Sequence, residues 1–442
     1  MAISRITELR LADFKSYSDA TIPLEPFTIL IGRNGSGKSN ALDAIEILAQ
    51  LAKGEEVRDA LEGDRRETSG VRGGAEGCAA HGSDVFLVGA TVELDDGAQL
   101  YLDVRIRVRP DVRIVSEDVW LGRNNQWTKR ILRTDEPNPD RGDIDARVWN
   151  GRRGPDPIQT FRSSHLLAAQ LLLRFGSTKA ERQALAELAG GLAVLAGVFH
   201  LDPVPHLMRG YVPKQDAVLR RTGDNLSAAV ARLKQNSPAK FSELLDVVKR
   251  LPENDVRSIE LGKGSFGDVM LALKERKGRQ SVTVPARQMS DGMLRMIAVA
   301  TAALTGGPGL DLDSRTTAED DFHPLCLVIE ELENGLHPSQ ASMVLDLLKR
   351  SWQESGFQVV VTTHSPALLD ALTGDDHRGV LVCERDRRSG ASRVIPLVQL
   401  PGYLSLMARQ SLGQAVVSGR ISEAAASTDE NYDQINGLLG IG

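Results

Sequence analysis

The chain opens on alternation: Ile3-Ser4-Arg5-Ile6-Thr7-Glu8-Leu9-Arg10-Leu11 sends apolar and polar side chains to opposite faces, the period of a half-buried strand. A polar turn follows Phe14-Lys15-Ser16, and Pro26 precedes Phe27-Thr28-Ile29-Leu30-Ile31, an apolar run expected to be a buried strand. A helix is expected from Ser39 to about Lys53. Gly54 to Ser83 is charged and scattered with Gly70, Gly73, Gly74, Gly77 and Gly82, so it reads as a weakly ordered connection. Period two returns between Val85 and Val119, as in Tyr101-Leu102-Asp103-Val104-Arg105-Ile106-Arg107-Val108, which predicts antiparallel strands with one wet face.

Residues 134 to 157 are rich in Pro, Gly and Asp and read as a long loop. Helical spacing begins in the Leu/Ala-rich stretch Ser163 to Ala189 and continues from Asn225 to Leu251, whereas 256 to 285 reads as antiparallel hairpins and 288 to 305 as a helix. Then apolar runs at Pro324 to Ile329, Gln358 to Thr363 and Val380 to Glu384 flank a helix over Pro338 to Trp352, an alternation that implies a parallel sheet and an α/β fold. There is no internal repeat and no heptad run long enough for an extended coiled coil.

Between the buried strand and its helix lies Gly32-Arg33-Asn34-Gly35-Ser36-Gly37-Lys38-Ser39, the spacing G-x-x-x-x-G-K-[ST], followed by Asn40. Strand, glycine loop and helix in that order place consecutive backbone N–H groups and a helix N-terminus around phosphate oxygens. Lys38 neutralises the β/γ-phosphates and the Ser39 hydroxyl can ligate Mg²⁺, so a nucleoside triphosphate, ATP, is the expected ligand.

A second constellation follows the apolar run Leu325 to Ile329, which ends in Glu330-Glu331. Acids at the carboxyl end of a parallel strand stand where open α/β sheets do their ligand chemistry. Glu330 is assigned to Mg²⁺ through its water shell, and Glu331 to the general base that orients and deprotonates the attacking water. The strand Val359 to Thr363 ends in His364-Ser365-Pro366, and His364 can hydrogen-bond the γ-phosphate or that water.

Composition narrows the class. The 41% hydrophobic and 25% charged residues suit a globular protein rather than a disordered or fibrous one. With 53 basic against 59 acidic residues, the formal charge of −6 gives no global footprint for nucleic acid, and 4% aromatics argue against a base-stacking surface. Cys78, Cys326 and Cys383 are far apart and odd in number, so buried free thiols and a reducing cytoplasm are expected. The charged residues near Met1 do not fit a signal peptide, and the longest apolar stretch, Leu188 to Phe199, is too short to span a bilayer, so no membrane partner is expected.

The chain resembles an ABC-class ATPase of the RecF and structural-maintenance-of-chromosomes type, and more narrowly the bacterial AAA-type ATPases of that class that lack long coiled coils. The resemblance covers most of the chain and rests on five motifs in order: Leu11-Ala12-Asp13-Phe14-Lys15-Ser16, the glycine loop, Met289-Ser290-Asp291-Gly292-Met293-Leu294-Arg295, Glu330-Glu331-Leu332-Glu333-Asn334-Gly335-Leu336-His337-Pro338, and Thr363-His364-Ser365-Pro366. It implies a P-loop NTPase head of ABC type with an antiparallel β lobe and a helical insertion. The lobes are then 1–157 (β-rich, with the phosphate loop), 158–250 (helical insertion) and 251–442 (signature, paired acids, switch histidine). It also implies a homodimer that closes around ATP, in which Ser290 and Gly292 open a helix facing the γ-phosphate held by the other subunit, while Leu332 to His337 corresponds to the D-loop.

Two positions depart from the broad class: Glu330 stands where Asp is usual, and Asp291 where transporters carry Gly. Both variants resemble the narrower subfamily. The glutamine loop has two candidates, Gln159 and Gln170. The resemblance implies work in DNA maintenance, repair or antiphage defence, with DNA and a partner nuclease or effector as possible partners. A transporter ATPase would carry a signature nearer L-S-G-G-Q and Asp in place of His337. A third reading is an ATP-gated scaffold that regulates a partner nuclease or toxin. Gly262-Lys263-Gly264-Ser265-Phe266-Gly267-Asp268-Val269 imitates a kinase glycine loop, with Lys274 after it, but no H-R-D or D-F-G follows, so a β-hairpin turn is the expectation there.

Overall fold

The computed structural model of the chain describes residues 4–426 apart from 64–69, 125, 135–141, 174–175, 177, 251–254, 265, 313–324 and 387. Its contacts divide it into two units, one made of Met1–Val198, His377–Leu406 and Gly419–Gly442, the other of Phe199–Asp376 and Met407–Ser418.

In the first unit the opening alternation forms β1 (Arg5–Phe14), whose Ile6, Leu9, Leu11 and Phe14 are buried, paired antiparallel with β2 (Tyr17–Pro23). β3 (Phe27–Ile31) is buried at every residue and feeds the glycine loop and α1 (Lys38–Ala52), followed by α2 (Val57–Glu62). An antiparallel sheet then adds β4 (Val85–Glu93), β5 (Ala98–Arg107), β6 (Arg113–Arg123), β7 (Gln126–Thr134), β8 (Asp143–Val148) and β9 (Ile158–Arg162), in the spatial order β2-β1-β4-β5-β6-β7-β8-β9. Apart from β1 and β4, neighbours in that order follow one another in the chain, so short connections suffice and the pairing is antiparallel throughout.

Two expectations are corrected here. Residues 143–148, read as part of a long loop, form β8, because Ile144, Ala146 and Val148 alternate inward across a span too short to stand out among its turn-forming neighbours. The Gly-rich stretch read as weakly ordered is firmly tied down over its described residues 70–83: Lys15 N–H donates to Cys78 O (2.8 Å), Ala80 N–H to Asp13 O (2.7 Å), and the Lys15 ammonium to Arg72 O (2.8 Å). Residues 64–69 and 135–141 of those two stretches lie outside the described residues.

Helices α3 (Leu167–Leu171) and α4 (Lys179–Ala196) complete this part of the unit, α4 packing on α1 and β5. Thr178 and Glu181 cap α4 reciprocally, each side chain taking the other's backbone N–H. Gly191 lowers the helix propensity of α4 but lets it approach the sheet, since a Cβ there would stand 2.4 Å from the Leu100 side chain.

The second unit begins at Phe199, within β10 (Val198–Leu201), and continues with β11 (Val212–Pro213), then α5 (Leu226–Asn236) and α6 (Pro238–Lys249). β12 (Val256–Lys263), β13 (Asp268–Lys277) and β14 (Gln280–Pro285) form an antiparallel set. The kinase-like glycines are the β12–β13 hairpin turn, closed by Gly264 N–H on Asp268 O (2.8 Å), with Gly267 left-handed (φ 86°). Next come α7 (Asp291–Thr305), β15 (Cys326–Ile329), α8 (Pro338–Ser355), β16 (Gln358–Thr362) and α9 (Pro366–Asp370). β15 and β16 run parallel, Cys326 opposite Gln358 and Ile329 opposite Val361, with α8 as their crossover, as the alternating pattern predicted.

The chain then returns to the first unit with β17 (Val380–Arg385), parallel to β3, and β18 (Ser392–Pro396), antiparallel to β17. α10 (Tyr403–Met407) and α11 (Leu412–Val417) follow, α11 packing on α9. Parallel strand pairs and a wide antiparallel sheet, with helices between them in the chain, make the fold mixed α/β, as expected. Cys78, Cys326 and Cys383 are free and buried, as their spacing predicted. Among the described residues no helix is long and apolar enough to cross a membrane.

Candidate nucleotide-binding site

In the first unit, β3 delivers the chain into a loop that only glycine can make. Gly32, Gly35 and Gly37 have φ of 147°, 76° and 106°. Space forbids a side chain as well: a Cβ on Gly32 would stand 2.2 Å from Cys383 O, and one on Gly37 would stand 2.6 Å from Ser392 Oγ. The loop is therefore wrapped over the β17–β18 hairpin with no slack.

Lys38 is 6% exposed and folds back over the loop, its ammonium donating to Gly32 O (2.9 Å) and Arg33 O (3.0 Å). Helix α1 starts at Gly37 without a side-chain cap, so the positive end of its dipole is turned to the loop unopposed by a capping oxygen. Ser36 Oγ is buried without a hydrogen-bond partner. A glycine cradle, a lysine over it, an uncapped helix start and an orphaned hydroxyl together fit the phosphates of a nucleotide.

The underside of the loop is held by residues the motif does not contain. The Tyr17 hydroxyl donates to Gly37 O (3.0 Å), Asn40 Nδ2 to Ser16 Oγ (2.7 Å), Ser392 Oγ to Ser16 Oγ (2.7 Å) and Ser392 N–H to Ser16 O (2.6 Å). Burial pushes the Cys383 thiol up to about 12 and the Tyr17 phenol well above its ordinary value, so both stay neutral. Neither competes with a phosphate for the Lys38 charge.

The second unit holds the other predicted residues: Ser290, Gly292, Glu330, Glu331 and His364. β15 ends at Ile329, and Glu330-Glu331 follow at its carboxyl end, as the apolar run implied. Glu331 is left-handed (φ 48°), a strained conformation for a residue with a Cβ, held by its N–H on Thr362 Oγ1 (2.8 Å) and by Leu332 N–H on Thr362 O (3.1 Å). The same turn reaches His364 through Glu333, whose carboxylate accepts the His364 N–H. The Glu331 turn and His364 thus belong to one hydrogen-bonded unit built across two parallel strand ends.

Ser290 caps α7, its hydroxyl accepting from Met293 N–H (3.2 Å). At Gly292 a Cβ would stand 2.0 Å from Gly335 O, so the signature helix abuts the turn that follows Glu331. The glutamine candidates lie in the first unit. The Gln170 side chain is spent on backbone groups of Arg162 and His165, whereas Gln159, on β9, lines a cavity of about 340 Å³ with Ile131, Trp149 and Leu171.

Residues 4–81 match the model of an AAA ATPase domain, and residues 198–370 match a family described as "AAA domain, putative AbiEii toxin, Type IV TA system". The DNA replication and repair protein RecF of Gloeobacter violaceus is 34% identical over 114 residues, 25% of this chain and 26% of that protein. The chromosome partition protein Smc of Bordetella petrii is 43% identical over 56 residues, 12% of this chain and 5% of that protein. The chain is similar to ABC-class ATPases of the RecF and SMC type. It spans about a quarter of the RecF relative and less of the Smc one. Among solved structures, the SmcHead bound to the C-winged helix domain of ScpA is a distant likeness at 16% identity and TM-score 0.47, covering 88% of this chain and 97% of that one.

The two matched stretches follow the two structural units, one carrying the glycine loop, the other Ser290, the paired acids and His364. Sequence reasoning missed Tyr17, Ser392 and Thr362 as supports. Tyr17 directly follows Phe14-Lys15-Ser16 and was within reach, but Ser392 and Thr362 act through tertiary contacts that no local pattern announces.

Proposed function

We propose that the chain binds ATP with Mg²⁺ at Gly32 to Asn40, hydrolyses it, and dimerises around it. The observation that carries this reading is the glycine cradle closed over by Lys38 at the uncapped start of α1. The loop from Arg33 to Gly37 would supply backbone N–H groups, Lys38 carries the countercharge, and Ser39 and Glu330 would hold Mg²⁺. The metal would supply charge neutralisation across the β- and γ-phosphates. Glu331 takes the proton of the attacking water, and His364 senses the γ-phosphate.

Ser290 and Gly292 act on the ATP of the other subunit, the N-terminus of α7 contributing about half a positive charge. Replacing Lys38 by Ala should abolish nucleotide binding. Replacing Glu331 by Gln should slow hydrolysis by about 10²–10⁴-fold while leaving ATP-dependent dimerisation intact. A Glu331→Gln protein that turns over ATP at the unaltered rate removes Glu331 as base.

The pathway we favour is DNA maintenance, repair or antiphage defence in the cytoplasm, supported by the similarity to RecF. Duplex DNA should stimulate turnover, most strongly at low salt where phosphate contacts dominate; no stimulation and no gel shift at low salt would remove direct DNA action. One observation favours a second reading, an ATP-gated scaffold for a partner nuclease or toxin: the family matched over 198–370 is described by a toxin of a toxin–antitoxin system. Pull-down with the Glu331→Gln protein separates the two by what it captures.

A further inference from the structure

The signature of this chain carries a charge that its assigned task should not tolerate. Asp291 is the first residue of α7 and its side chain is 67% exposed. A carboxylate there stabilises an isolated helix, but it opposes any second anion brought to the same N-terminus. If Ser290 meets the partner subunit's γ-phosphate, Asp291 meets it too.

Arg209, at the end of the short 3-10 turn Leu207–Arg209, answers that charge from 82 residues away in sequence. Its Nη2 donates to Asp291 Oδ1 (2.6 Å), while Nη1 donates to Met289 O (2.8 Å) and Arg287 O (3.0 Å), two of the carbonyls leading into the signature. One guanidinium therefore both cancels the Asp291 charge and latches the turn that presents Ser290. Arg295, one helical turn further on, lies instead beside Gly335. Resting on the reading that Ser290 acts across a dimer, we propose that Arg209 is a positioning residue that makes the start of α7 acceptable to a partner's triphosphate.

The test is ATP-dependent dimerisation of the full chain, measured by sedimentation with a non-hydrolysable ATP analogue, beside analogue affinity at concentrations too low for dimers. Arg209→Ala should weaken dimerisation about tenfold to a hundredfold, the range for an uncompensated like charge near a protein surface. Asp291→Asn alone should leave it unchanged or tighten it. The double variant should recover to within about threefold of the wild type, and the Arg209→Ala defect should shrink as salt rises, which a purely structural defect would not do.

Monomer nucleotide affinity should be alike in all four proteins, and melting temperature should fall equally in the two that lack Arg209, which lose its bonds to Met289 O and Arg287 O, since the partly exposed Arg209–Asp291 pair itself contributes little stability. A double variant as weak as Arg209→Ala, or a salt-independent defect, overturns the charge role. A wild-type chain that binds the analogue and stays monomeric refutes the dimer reading itself, and this inference with it. One that does not bind the analogue at all refutes the nucleotide reading beneath both.

Discussion

Replacing Gly292 by Ala adds one methyl at the tightest point between the signature helix and the turn after Glu331. The new Cβ would lie 2.0 Å from Gly335 O, where real Cβ atoms keep at least 3.0 Å, so the two backbones must part by about 1 Å. No side chain can yield in their place, because both sides of the contact are main chain. Gly335 is itself left-handed (φ 75°), which limits how the turn can relax.

The stability change should be modest. Overpacking costs about 1–3 kcal/mol, while Ala in place of Gly within a helix returns up to about 1 kcal/mol, leaving roughly 0–2 kcal/mol lost. Function should suffer more, because a displacement near 1 Å at a reacting centre lowers rate by about 10²-fold. Steady-state ATPase assays, thermal melting and nucleotide affinity on one preparation check this, with Gly374→Ala, which adds a methyl into open space, as the control. Turnover in Gly292→Ala within threefold of the control would refute the idea that this contact couples signature and acids.

Other outcomes follow from single contacts. Tyr17→Phe removes the hydroxyl that holds Gly37 O and should weaken ATP binding by about 1 kcal/mol, roughly fivefold, by titration calorimetry. Glu333→Ala frees the His364 backbone and should lower kcat with little change in nucleotide Kd, whereas Glu333→Gln, which can still accept that N–H, should retain most of kcat. Glu117 is wholly buried on β6, and burial pushes its carboxyl up to about 8 from an ordinary 4.5, only partly offset by the N–H groups of Leu167 and Ala168 at the start of α3. The folded form keeps a proton that the unfolded chain gives up, so this contribution is complete below about pH 4.5 and is lost as pH rises through about 8. Melting curves from pH 5 to 8 should show a decline of up to about 1.4 kcal/mol per pH unit that Glu117→Gln lacks.

What could be read from sequence was what local chemistry alone decides. The path from β3 through Gly32–Ser39 into α1 is a short-range device, and the apolar run before Glu330 announces a strand that ends in paired acids. β8 escaped because three inward residues cannot outweigh Pro, Gly and Asp on either side. The order of residues 70–83 escaped because it comes from backbone bonds to Asp13, near the end of β1, and to Lys15, in the turn after it, both left-handed.

The supports of the site share that character. Ser392 lies under Gly37, Thr362 under Glu331 and Arg209 against Asp291, each brought from far along the chain by the fold. Gly292 shows why such residues are invisible in one sequence: its motif explains a small residue facing a phosphate, whereas its contact with Gly335 O demands one facing the protein. Either reason suffices to place glycine there, and only the second predicts that a methyl group disturbs the Glu331 turn in a protein whose ATP is bound normally. Affinity and turnover measured together on Gly292→Ala therefore separate a signature that merely touches nucleotide from one mechanically joined to the acids of its own chain.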